Sequence, residues 1–266
     1  MKITALFRTP PPINEIGELV LENKKAYCEF NSYPLIYDNS PVINKHFSWG
    51  VAERIKSLLD EDYDLILNTG TEYLFTNFNI SAEMIMEERT TGKEDIFIIG
   101  ETLQAVEGRP SIWFELKEGG GIDLAQTMED KVLLCPIGMF IKNTPFTRKL
   151  FKDILNDSRF AEESDFNTML SPFIDRFQLA LSIYYDIYPS IREKFVICPV
   201  REMACLPEGD GEEYIKLRKI MKKVITHDYS EFTAGQYTTT IWCLSTGIDL
   251  PVIKTIINDN LKNVVK

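Results

Sequence analysis

Short, almost uninterrupted apolar runs alternate along the chain with longer stretches in which apolar residues recur at helical spacing. Ile3 to Phe7 is the first such run, closed by Arg8, Thr9 and a triple proline that can continue neither a helix nor a central strand. From Asn14 to Cys28 the positions Ile16, Leu19, Val20 and Ala26 predict a helix capped by Asn14. Tyr33 to Tyr37 follows as a strand. Trp49, Val51, Ala52, Ile55, Leu58 and Leu59 then mark one face of a helix opened by Ser48, and Asp64 to Leu67 is a third strand. The alternation continues with a helix over 80–88, a strand over 95–100, a strand over 132–141, helices over 145–155 and 166–188, and a strand over 195–200. The acidic stretch 115–130, with Gly119, Gly120 and Gly121, reads as a loop, with a substrate lid as its functional alternative.

Continuous apolar strands separated by amphipathic helices predict an α/β fold whose mixed, mainly parallel sheet is covered on both faces by helices. Neither an internal repeat nor a clear linker interrupts the pattern, so residues 1–266 are expected to form one domain. Such sheets bind ligands in the crevice beyond the carboxyl ends of their strands. The turn Thr69-Gly70-Thr71-Glu72 follows the third strand directly and therefore stands in that position.

The formal charge of −11 disfavours a general role in coating polyanions. Two basic clusters, Lys142 to Lys152 and Lys216 to Lys223, are each either a solvated helix face or a phosphate contact. The five cysteines lack CxxC spacing, and His46 and His227 are the only histidines, which excludes a disulfide framework and a histidine-rich metal site. The first residues lack a signal-peptide apolar region, and no apolar run reaches the ~18 residues of a membrane span, which makes a reducing cytoplasm the expected compartment. Walker A, GxGxxG, GxSxG and HExxH signatures are all absent.

Asn23 to Tyr27, Tyr63 to Asn77, Gly138 to Asn143, Phe177 to Leu181 and Asp228 to Gly235, in that order, resemble segments of glycosyltransferase family 34, the α-galactosyl-, α-mannosyl- and α-xylosyltransferases, and its shorter bacterial and phage relatives. Asn23-Lys24-Lys25-Ala26-Tyr27 and Asn31-Ser32-Tyr33 are similar to the family's N-K-x-x-Y-A and H-G-Y. Tyr63 to Leu67 followed by Leu74-Phe75-Thr76-Asn77 resembles the segment that contains its D-x-D. Gly138 to Asn143, Phe177 to Leu181 and Asp228 to Gly235 are similar to its later motifs, so the resemblance covers roughly residues 1 to 240.

The resemblance implies a GT-A fold in which 1–105 bind a nucleotide-sugar and 106–266 supply the acceptor half and C-terminal helices. It implies sugar transfer with retention at the anomeric carbon, and a divalent ion, manganese or magnesium, on the donor diphosphate. Charge develops on a departing nucleoside diphosphate, and a metal or fixed cations must stabilise it. The implied donor-binding residues are Arg8, Thr9, Thr69, Gly70, Thr71, Glu72 and Lys142, with Gln178 and Asp228 as catalytic candidates. Lys142 or the 216–223 cluster would supply cationic compensation.

The departures are as informative as the matches. The D-x-D falls on Gly70-Thr71-Glu72, so only Glu72 remains as a metal ligand, whereas magnesium and manganese favour six oxygens. Phe232, Phe177 and Ala204 replace the family's histidine, glutamate and asparagine. Glu72 is thus a contact to metal, diphosphate or sugar, a remnant in a non-catalytic binding partner, or a turn residue. The acceptor is a saccharide, a protein or a modified DNA base, the last opposed by the acidity. A homo- or hetero-oligomer fits either reading.

Overall fold

A computed structural model describes residues 1–9, 11–13, 15–42, 47–70, 73–75, 78–103, 111–116, 122–161, 176–199, 204–205 and 238–240. Its chain order begins β1 (Ile3–Arg8), α1 (Glu15–Phe30), β2 (Leu35–Asp38), α2 (Phe47–Leu59), β3 (Leu65–Thr69), β4 (Tyr73–Phe75) and α3 (Ala82–Arg89). It continues through β5 (Ile96–Leu103), β6 (Ser111–Leu116), β7 (Ile122–Thr127), β8 (Lys131–Lys142), α4 (Pro145–Asn156) and α5 (Ser158–Ala161). Last come α6 (Arg176–Ile187), α7 (Pro189–Arg192), β9 (Phe195–Pro199), β10 (Ala204–Cys205) and β11 (Thr238–Thr240).

Six strands form the central sheet in the order β2-β1-β3-β8-β5-β9. The pairs β2/β1, β1/β3 and β5/β9 are parallel, while β8 runs antiparallel to both β3 and β5. Period-two alternation divides the core between the faces. Leu6, Ile66, Ile98 and Met139 pack with Trp49 and Ile55 of α2, Phe151 of α4 and Phe177 of α6. Ala5, Leu67, Phe97 and Phe140 pack with Tyr27 of α1 and Ile85 of α3. Strands apolar on both faces are what this two-sided covering requires, and the expected mainly parallel architecture is present.

Three differences from the sequence reading have physical causes. Residues 111–127, expected in part as a loop, contain the antiparallel hairpin β6/β7, which runs in register from Ser111 opposite Thr127 to Leu116 opposite Ile122. Gly119, Gly120 and Gly121 between its strands lie outside the described residues. Trp113 anchors the hairpin by donating from Nε1 to Asp186 of α6 at 3.1 Å, and Lys131 Nζ reaches the same carboxylate at 3.0 Å. The strand β4 pairs with β11, which pairs with β10, in a separate three-stranded sheet. Finally, the direction of β8 is not encoded by apolar periodicity at all.

That second sheet gathers segments distant in sequence. It joins the strand that leaves the Gly70 turn to Ala204 and to residues just beyond Gly235.

Candidate donor site at the carboxyl edge of the sheet

The parallel strands β1, β2 and β3 end at one edge, where Arg8 is in register with Asp38 and Phe7 with Thr69. Alternation turns Arg8 toward α2. There its Nη1 donates to Asp38 Oδ2, its Nη2 donates to the Ser40 carbonyl at 2.8 Å, and its guanidinium lies 5.3 Å from the centre of the Phe47 ring. Arg8 is buried, and its Nε–H meets no acceptor among the described residues. Burial pushes the Asp38 carboxyl up, but hydrogen bonds from Ser40 and the charge and hydrogen bond of Arg8 outweigh it and hold its pKa below the ordinary carboxylate value. Arg8, Asp38 and Ser40 line a cleft of about 450 Å³ with Gly50, Glu53 and Arg54 of α2.

Gly50 makes this arrangement possible. A Cβ there would stand 2.4 Å from Val42 Cγ2 and 2.6 Å from Arg8 Nη2. Because the guanidinium is pinned by Asp38 and Ser40, the usual helical gain from Gly→Ala is expected to be reversed. Gly50→Ala should destabilise by about 1–2 kcal/mol through overpacking, read as a lower urea midpoint at unchanged slope.

Thr9 and Thr69 are buried beside this pair, and Gly70 is half-buried. Thr9 Oγ1 lies 3.5 Å from the Tyr37 hydroxyl, whose ring stacks on Phe7 at 5.9 Å. Next to Thr69 the sheet is interrupted: Ile98 pairs with Met139 but Ile99 with Cys135, so β8 bulges over residues 136–138. Asn68 Nδ2 donates to the Pro136 carbonyl at 2.5 Å and satisfies a group the bulge releases. Gly138 faces Thr69 across this bulge, and a Cβ on it would stand 2.4 Å from Ile99 Cδ1.

Gln178 is half-buried near the start of α6. The preceding Phe177 N–H donates to Ser48 Oγ at the start of α2 at 3.3 Å, and the Gln178 carbonyl accepts from Ser182 Oγ at 2.7 Å. Ser48 follows Phe47, which covers Arg8, so the fold brings Gln178 to the same end of the sheet as Arg8.

Lys142 is a correction. It is opposite Leu65, whereas Gly138 is opposite Thr69. Four residues of strand separate Lys142 from Thr69, about 13 Å. Its Nζ donates to the Glu94 carbonyl at 2.9 Å and to Thr90 Oγ1 at 3.3 Å, at the opposite end of the sheet. The antiparallel run of β8 is the cause. Lys142 therefore does not share a pocket with Arg8, Thr9, Thr69 and Gly70. The neighbouring Asn143 also works on the fold, donating to the Tyr63 carbonyl at 2.8 Å. Thr71, Glu72, Asp228 and the 216–223 cluster lie outside the described residues.

Asn23 to Tyr27, noted in the sequence only as a resemblance segment without a role, fasten this edge from α1. Asn23 accepts the Phe75 N–H at 2.8 Å and donates to the Phe75 carbonyl at 2.9 Å, so its amide pairs with β4 as a strand would. Tyr27, one helical turn on, stacks on the Phe75 ring at 3.8 Å and donates its hydroxyl to the Ile80 carbonyl at 3.0 Å. Lys24, fully buried, places its ammonium 5.0 Å from the centre of the Phe75 ring and 5.5 Å from that of Phe7. The i, i+4 spacing of Asn23 and Tyr27 is a same-face signal that periodicity offers, but Asn23 is polar and apolar counting passes over it.

The described residues at this edge do not fit a divalent ion. Thr69 offers a hydroxyl, Gly70 no side chain, and the Asp38 carboxylate is engaged by Arg8. No group of three or more His, Cys, Asp or Glu side chains converges among the described residues.

Comparison with solved structures adds likenesses of fold. A crystal structure of a glycosyltransferase involved in the glycosylation of the major capsid of PBCV-1 superposes with a TM-score of 0.54 at 11% identity, covering 97% of this chain and 98% of that one. A CMP:2-keto-3-deoxy-manno-octonic acid synthetase complexed with CTP gives 0.38 at 10% identity, over 85% of this chain and 100% of that one. No family model matches the sequence, and no curated protein matches it. The first likeness shows the fold as GT-A-like mixed α/β. No helix among the described residues is long and apolar enough to cross a membrane.

Proposed function

We propose that the chain is a glycosyltransferase that moves a sugar from a nucleotide-sugar donor to a separate acceptor, with retention, and that it is a divergent relative of family 34. The observation that supports this reading is a GT-A-like fold over nearly the whole chain, in which Arg8, Thr9, Thr69 and Gly70 stand at one edge of the sheet. In it Arg8 and Thr9 take the nucleoside side, and the backbone of Thr69, Gly70 and Thr71 packs against the donor. Glu72 touches the diphosphate or the sugar, alone or through a metal ion, Gln178 faces the sugar, and Asp228 is an active-site acid. A saccharide, a protein or a modified DNA base is the acceptor class.

Binding of one donor is the first expected result. In a thermal-shift titration with a panel of nucleotide-sugars, with and without manganese, one donor at a hundred times its Kd stabilises the fold by about 2.7 kcal/mol. Hydrolysis of that donor should fall at least tenfold in Glu72→Gln and stay unchanged in a surface variant such as Lys149→Ala. Gly70, which has no ligand side chain where a D-x-D has its first acid, favours a second reading: a GT-A-like binding partner without catalysis. Absence of a shift across the whole panel would support that reading over the first.

A further inference from the structure

The cleft beside Arg8 suits one part of a nucleotide-sugar better than the rest. Its described charged lining residues are Arg8, Asp38, Glu53 and Arg54, two of each sign, and the Arg8 charge is already met by Asp38. Among these residues no excess of positive charge awaits a diphosphate, so the uncharged nucleoside is the portion that fits. The volume of about 450 Å³ lies within the ~300–1,000 Å³ of ordinary small-molecule sites. The Asp38 carboxylate accepts the Ser40 N–H at 2.8 Å and Arg8 Nη1; ionised, it holds roughly four acceptor positions and no donor. Arg8 also lines the cleft, and its buried Nε–H meets no acceptor among the described residues, which is rare for a buried donor. Acceptor capacity on Asp38 thus stands next to an unused donor on Arg8.

We propose that Asp38 is a specificity-determining residue of the donor site, accepting the ring N–H of a base in which that N–H adjoins a carbonyl, as in uracil and guanine, with the carbonyl turned to the Arg8 guanidinium. The inference rests on the donor-binding reading above and names the class of nucleotide that it takes. Cytosine and adenine carry a lone pair on the corresponding ring nitrogen, and an acceptor-only carboxylate repels it. A site built around buried hydrogen-bonding groups rejects a ligand that leaves them unpaired more strongly than an apolar site rejects a misfit. Arg8 holds the carboxylate in place, and Gly50 of α2 leaves room for that pair.

The test is calorimetric titration of the full chain at neutral pH with UDP, GDP, CDP and ADP, which share a ribose diphosphate and differ in the base. In the wild type UDP or GDP should bind at least tenfold more tightly than both CDP and ADP, and the tighter of the two tells uracil from guanine. Asp38→Asn, whose amide donates to a ring nitrogen as readily as it accepts, should cut that preference at least tenfold. A merely structural Asp38 would weaken all four ligands alike, so an unchanged ratio in the variant overturns the proposal. So does a wild type that ranks CDP or ADP first or binds the four equally. The wild-type ranking decides alone if the variant fails to fold. Failure of the wild type to bind any of the four, with or without manganese, overturns the donor reading itself, before bases are compared.

Discussion

Asp38→Asn is expected to lower stability at neutral pH by roughly 3 kcal/mol, the scale for breaking a buried ion pair from one side. For a chain of this size that is about 6–12 °C in thermal midpoint. The carboxylate is 15% exposed and its partner guanidinium 5%, so solvent does little to replace the lost charge. Asparagine keeps the shape of Asp38 but removes its charge and leaves one accepting oxygen for the two donors, Arg8 Nη1 and the Ser40 N–H, that the carboxylate serves. The pH dependence gives the result its signature. The folded-state pKa of Asp38 lies below its ordinary value, so its contribution is complete above the unfolded value of about 3.9 and is lost as pH falls through the folded value. Urea unfolding of wild type and variant should therefore show a wide gap at pH 7 that narrows toward pH 3. A gap of equal size at both would mean that shape, not charge, is what Asp38 contributes.

The apolar strands β1, β3, β5 and β9 were legible because each is covered on both faces, and such strands need a continuous apolar run. The same property hides direction. Residues 132–141 read equally well as a parallel or an antiparallel strand, and only pairing with β3 and β5 turns β8 around, which carries Lys142 to the far end of the sheet. The hairpin β6/β7 escaped because its glycines and acids resemble loop composition, while its anchor, the Trp113 hydrogen bond to Asp186, spans 73 residues. The three residues of β4 have no local signal at all. Their conformation is set by Asn23 on one side and by β11 on the other.

Position was more legible than partnership at the candidate site. The end of an apolar strand marks a crevice whatever follows it, so Thr69 and Gly70 could be placed without coordinates. The pairing of Arg8 with Asp38 spans 30 residues, and its accommodation by Gly50 depends on how α2 crosses the sheet. Neither is written in local spacing.

Asn23 offers the sharpest link from fold to function, because one side chain serves both groups of a single peptide residue. Asn23→Ala should cost about 3 kcal/mol, combining two lost hydrogen bonds with a buried N–H and carbonyl left unpaired at Phe75. Asn23→Asp is expected to be worse at neutral pH, since its carboxylate still accepts the Phe75 N–H but turns a buried negative oxygen toward the Phe75 carbonyl. That repulsion raises the pKa of the new acid in the folded state. The sign follows: as pH falls, protonation returns a donor to the carbonyl, and the aspartate variant should gain stability relative to the alanine variant between pH 8 and pH 5. Equilibrium unfolding across that range checks the crossing, and parallel curves would show that Asn23 does not hold β4 by paired hydrogen bonds. Because Phe75 stands three residues beyond Glu72, both variants should also weaken donor binding by more than their global stability explains. In conditions where each is still folded, a loss of affinity with an unchanged Arg8 cleft would locate the defect in the turn.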